Sequence, residues 1–298
     1  MEKKLLQWAI ENANRAPSNN EEGGEGNPPP PPLNPSNIDP GILQYIMGKS
    51  DAEQIREAIA VISNPNETLE NKEIAFDNLE MLVEQIDNAI NIEKMNLWPQ
   101  IISFLSFSEV SLRKYAIWVC GTAVQNNPQA QKAFVEKGGL KIILKILKDS
   151  NEKNEIRSKA LYAVSGSIQN YEPGLTQFEK ESGYDTLLSL LETSDDLAIL
   201  RKIVFLLTVL LVQNKNAVIT QIKDKPFNKQ MIKLLSKFCA DEDLVDKILK
   251  TFLLEFKETS LFSKDEINEL RIILPEIKKK HKNILTSTEW TELESKVQ

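Results

Sequence analysis

His281 is the one histidine in 298 residues, and it lies in the basic run Lys278-Lys279-Lys280-His281-Lys282. That excludes multi-histidine metal sites and speaks against an ordinary Ser-His-Asp triad. Cys120 and Cys239 stand 119 residues apart, which is not a zinc-ligand spacing. Gly138-Gly139 lacks the Lys and Ser/Thr of a phosphate loop. Acidic residues are plentiful, so a carboxylate pair is the one catalytic device left open. They fall mostly in turns and on outer helix faces, where solvation accounts for them. No enzyme, cofactor or metal is expected. The chemistry that remains is recognition. Arg113, Arg157 and Arg201 recur at a spacing of 44 residues, with Gln125, Gln169, Gln213 and Asn126, Asn170, Asn214 in the same register. Each arginine has two readings. It pairs with a neighbouring acid (Glu109, Glu155 and Asp196 respectively), or it faces a groove and contacts a partner.

The elements that must position these side chains are helices. Between the recurring polar residues the apolar classes recur too, as Ala116/Ala160/Val204 and Trp118/Tyr162/Leu206. A fixed period of about 40–47 residues with apolar residues at helical spacing is the signature of armadillo or HEAT repeats. The expected fold is all-α, an armadillo-like right-handed helical repeat solenoid. Long helices near 70–88, 111–126, 155–170 and 198–214 should line one concave wall. Asn127-Pro128 and Pro173 turn the chain after the first two full copies, and Phe134/Gly139 match Phe178/Gly183. Ser263-x-x-Glu266 is a capping box opening a late helix through about Lys282. The Asn column reads as a set of helix ends and turns. Trp98, Trp118 and Tyr162 read as core or inter-repeat packing.

Three segments are expected. Residues 1–12 form a short amphipathic helix carrying Leu5, Leu6, Trp8 and Ile10. Residues 13–37 form a disordered linker, with Glu21-Glu22-Gly23-Gly24 flexible and Pro28–Pro32 stiff. Residues 38–298 form the repeat body. An apolar cluster tethered outside a core usually marks an interaction site.

The net charge of −7 disfavours nucleic acid and anionic membranes as partners. The two cysteines sit in apolar helical patterns and read as reduced core residues. No charged-then-apolar signal peptide with a cleavage site is expected from the pattern, and the longest apolar run, Ile203–Val212, is half of what a membrane span needs. We expect a monomeric cytoplasmic protein.

The stretches EKKLLQWAIENA, DPGILQYIMG, FDNLEMLVEQIDNAINIEKMNLW and GTAVQNNPQAQKAF together resemble the fungal Fes-type nucleotide exchange factors. These are relatives of the animal heat-shock-binding protein that acts on the 70-kDa heat-shock chaperone. The resemblance covers nearly the whole chain, most specifically Phe76–Phe134. It implies a cytosolic exchange factor that grips the chaperone's ATPase domain with its concave face, promoting ADP release, substrate release and folding. It also implies an N-terminal segment that helps free substrate, and an association with translating ribosomes. Carried onto this sequence, the chaperone contacts are Asp87, Asn88 and Ala89 at the end of the first wall helix and Arg201 on the fourth. Asn126, Asn127 and Arg157 join them from position. The competing reading is an armadillo scaffold binding an extended peptide. Against it, Trp118 is followed by Tyr162 and Leu206, and Thr122 by Gly166 and Leu210, so the ladder such grooves use decays.

Overall fold

The structure, a computed structural model, describes residues 48–256 and 261–298. The chain divides into two units, Met1–Gln54 and Ile55–Gln298. Of the first, Gly48–Gln54 is described. There Ser50 and Glu53 form a reciprocal cap that opens the helix α1 (Asp51–Ser63).

The regular secondary structure among the described residues of the second unit is all helical, as the period predicts. It continues through α2 (Leu69–Val83), α3 (Ile86–Lys94), α4 (Trp98–Ser103) with a short 3₁₀ turn, and α5 (Val110–Val124). Then come α6 (Pro128–Glu136), α7 (Gly139–Lys148), α8 (Asn154–Ile168), α9 (Glu172–Lys180) and α10 (Gly183–Thr193). The chain ends with α11 (Leu197–Ile222), α12 (Phe227–Lys237), α13 (Glu242–Phe256), α14 (Lys264–Lys280) and α15 (Ser287–Lys296). The long helices α2, α5, α8, α11 and α13 stack in chain order, each packed on the next. Their buried faces form one continuous core, the economy of a solenoid whose units cannot bury an apolar face alone.

The recurring residues have local causes. After α5 and α8 the chain turns through Asn126 (φ +50°) and Asn170 (φ +53°), a left-handed conformation that Asn tolerates. The third copy departs: Asn214 is non-helical without a positive φ (φ −149°, ψ 64°), and helix resumes directly, so α11 is two helices joined at a kink. Gly139 and Gly183 close the Phe134 and Phe178 pockets. A Cβ at either would lie 2.1 or 2.2 Å from the ring, so the Phe–Gly spacing is a packing requirement. α11 is long and apolar enough to cross a membrane by length and composition. Its residues Ile199, Leu200, Ile203, Val204, Leu206 and Leu207 are instead buried in the stack.

Several boundaries differ from expectation. The first wall helix stops at Val83, because Gln85 is extended and a new helix begins at Ile86. The Asn88 side chain fastens this corner by donating to the Leu82 carbonyl at 2.9 Å. The Ser263 cap is present, with both reciprocal bonds. α15 was not anticipated, although Thr286-x-x-Glu289 is itself a capping box. Cys120 is buried, but Cys239 is half-exposed and is not a core residue. Leu5, Leu6, Trp8 and Ile10 lie outside the described residues.

Candidate functional site

The residues expected to contact a partner fall into two groups. Asp87, Asn88 and Ala89 sit in the first turn of α3, not at the end of α2. Asp87 is exposed, whereas Asn88 and Ala89 are buried. Asn127 joins this group. It caps α6 by accepting from the Ala130 N–H, and it donates to the Ile86 carbonyl at 3.2 Å. Asn126 beside it is exposed. The structure thus gathers Asp87, Asn88, Ala89, Asn126 and Asn127 around the meeting of α3 and α6, and Asn88, Ala89 and Asn127 hold that corner together.

The arginines form the second group, and each is tied within the chain. Arg113 binds Glu152 through two hydrogen bonds of 2.9 and 3.1 Å, and donates to the carbonyls of Phe107 and Ser108. Arg157 donates to the Asp149 carbonyl. Arg201 holds Asp241 through two bonds, with Asp243 at 3.5 Å. Its guanidinium keeps the Asp241 carboxyl below the ordinary value. Arg113 and Arg201 therefore have acid partners, though not Glu109 or Asp196, while Arg157 meets a backbone carbonyl and not the Glu155 carboxylate. Two of the three partners come from the next copy, some 40 residues on, a separation at which sequence gives no pairing signal.

A third set lies side by side on the long helices, from exposed Asp77 and Phe205 to buried Glu80, and none of it was singled out for binding. It begins on α2 with Glu73, Asp77 and Glu80. Tyr115 on α5 approaches Asp77 at 3.5 Å, and Thr122 donates to Glu80 at 2.7 Å. Burial, then Asp77 and Glu73, raise the Tyr115 hydroxyl's pKa. Tyr115 stacks on Trp118, and the Lys159 ammonium of α8 stands 3.4 Å from the centre of the Trp118 ring. Lys202 of α11 donates to the Ser158 carbonyl and hydroxyl at 2.9 and 2.7 Å. Phe205 follows, half-exposed. The wall runs from acidic on α2, through aromatic on α5, to basic on α8 and α11. Trp118 and Tyr162 are half-buried, while Leu206 is buried, so the third rung of a peptide ladder is missing. No group of histidine, cysteine and carboxylate side chains suited to a metal occurs among the described residues.

Residues 3–92 match the family described as nucleotide exchange factor Fes1, and residues 88–249 match the SIL1/FES1/HPBP1 C-terminal domain. A Schizosaccharomyces pombe protein named Hsp70 nucleotide exchange factor fes1 is 36% identical over 262 residues, covering 87% of this chain and 90% of that one. The chain belongs to the Fes1 family of nucleotide exchange factors. A Candida glabrata member, Hsp70 nucleotide exchange factor FES1, is 42% identical over 161 residues, 53% of this chain and 51% of that protein. Among solved structures, a designed armadillo repeat protein superposes with a TM-score of 0.64 at 13% identity, covering 82% of this chain and all of that one. That likeness shows the fold, which is armadillo-like as expected. The two family matches overlap at residues 88–92, which include Asn88 and Ala89.

Proposed function

We propose that the chain is a non-enzymatic exchange factor for a cytosolic 70-kDa heat-shock chaperone, gripping the ATPase domain with the long-helix wall so that ADP leaves. The family match carries this reading, since it runs through the N-terminal stretch and the repeats alike. The relatives' names supply the partner. A wall of mixed charge and half-exposed aromatics is suited to a folded protein surface, where aromatic anchors sit within a polar rim. The exchanger works by binding better to a chaperone state that holds ADP poorly. Linkage then requires ADP to weaken exchanger binding by the same factor, about 1–3 kcal/mol in typical coupled systems. Titrating purified ATPase domain with and without saturating ADP tests this. Equal affinities in the two titrations would remove the mechanism.

The N-terminal segment has a separate part in this proposal. Leu5, Leu6, Trp8 and Ile10 give residues 1–12 a compact apolar cluster, of a kind a peptide-gripping chaperone accepts. Tethering keeps that cluster at high local concentration beside the bound chaperone. Deleting residues 1–34 is expected to leave ADP release near normal and to slow the freeing of a tightly bound fluorescent peptide in ATP. Leu5→Ala, Leu6→Ala and Trp8→Ala together should reproduce the deletion. Superimposable peptide-release curves for full-length and shortened protein would count decisively against this role.

A further inference from the structure

A lysine stands near the start of each of three successive long helices: Lys114 on α5, Lys159 on α8 and Lys202 on α11. Lys114 is compensated by Glu155 at 3.1 Å. Lys159 and Lys202 are not paired in this way. Lys159 has no hydrogen-bond or ion-pair partner among the described residues, and its ammonium rests on the Trp118 ring. Lys202 directs two donors to Ser158 and meets no carboxylate at ion-pair distance among the described residues. Both are half-buried. Burial, then repulsion from Lys202, lowers the Lys159 pKa, with Lys114 adding to it and Glu80 opposing. Burial also lowers that of Lys202, opposed by Asp196.

Two partly desolvated cations that repel each other are an unfavourable arrangement in the free protein. A cation over an indole face gains some attraction, but the ring carries no counter-charge. An arriving anion would satisfy the unused N–H donors and relieve the repulsion in one step. The surroundings define what kind of anion fits. Glu73, Asp77 and Glu80 lie two helices away on the same wall, and the whole chain carries −7. A long uniform polyanion laid across the wall would meet like charge at α2. A folded protein with carboxylates facing α8 and α11 would not.

We propose that Lys159 and Lys202, with Trp118 beneath, form the receptor for an acidic side chain on the surface of the chaperone's ATPase domain. This rests on the exchange-factor reading above and specifies the charge of the partner at one place on the wall. The partner's complementary patch is acidic where it meets α8 and α11.

The test uses the full chain and purified ATPase domain, measuring affinity across a range of salt and release of fluorescent ADP. The parent protein is expected to bind and accelerate release. Lys159→Glu combined with Lys202→Glu should weaken binding by roughly tenfold to several hundredfold, as expected for charge pairs lost at an interface. Lys159→Met combined with Lys202→Met keeps the aliphatic stems. It should weaken binding less and flatten the salt dependence, while the melting temperature holds or rises because two repelling charges are gone. A purely structural role predicts a lower melting temperature and an unchanged salt slope. Lys132→Met on α6, a highly exposed site, is the control and should bind as the parent does. If the parent accelerates release and both double variants match it in affinity and salt slope, the receptor is overturned while the exchange function stands. If the parent fails to bind or accelerate release, both fall.

Discussion

Ala89→Arg is expected to cost this protein its stability before it costs any contact. Ala89 is only 1% exposed and packs in the first turn of α3, where that helix meets α2, α5 and α6. An arginine there needs volume that a packed core does not have, and it brings a charge with no partner. Penalties of this kind reach about 3 kcal/mol or more. For a domain of this size that corresponds to a fall of roughly 6–12 °C in melting temperature. Nucleotide exchange should fall with the folded fraction. Asp87→Arg separates surface from core, because Asp87 is exposed two positions away. It should melt as the parent does, so any loss of exchange it shows reports a lost contact. Thermal melts and ADP-release rates measured on both variants decide the matter. An Ala89→Arg protein that melts like its parent yet fails to exchange would mean that Ala89 meets the partner and not the core.

The sequence points to Ala89 as a partner contact, whereas the structure buries it. The 44-residue period fixed the stacking, the long helices and the Phe–Gly pockets, because each is set by side chains that must recur for copies to pack. The Asn126 and Asn170 turns were readable for the same reason. Glu84 and Gln85 carry no helix-breaking chemistry. The corner after Val83 therefore could not be seen, and Ala89 was placed on a helix end instead of in a core. The arginine partners were missed because Glu152 and Asp241 lie outside the repeated motif. Lys159 over Trp118 is the clearest case. The two residues are 41 apart, just short of the period, and only the helix-to-helix offset brings them together. A row of lysines near one position per copy was the one available signal.

Glu255→Gln is expected to stabilise the protein in alkaline solution and to have little effect in acid. Glu255 lies in the last turn of α13 with no exposed surface, and neither carboxylate oxygen has a hydrogen-bond partner. Burial is the main cause that pushes its pKa up to about 8. The Asn228 amide on α12 opposes this without meeting hydrogen-bond geometry to either oxygen, Glu266 on α14 adds to it, and Lys215 on α11 opposes it. The folded state therefore holds this proton more tightly than the unfolded chain, whose glutamate titrates near 4.3. Its contribution to stability is complete below that value and is lost as pH rises through about 8. Within that window each pH unit removes at most ~1.4 kcal/mol. Glutamine keeps the shape and cannot ionise. Its amide can also donate to Asn228 Oδ1, a buried acceptor that has no partner of its own. Urea unfolding at pH 4.5, 6.5 and 8.5 should show the two proteins nearly level at the first pH. The variant should be ahead at the second and furthest ahead, by about 2 kcal/mol or more, at the third. A constant difference across all three would show that Glu255 does not carry its proton into the folded state.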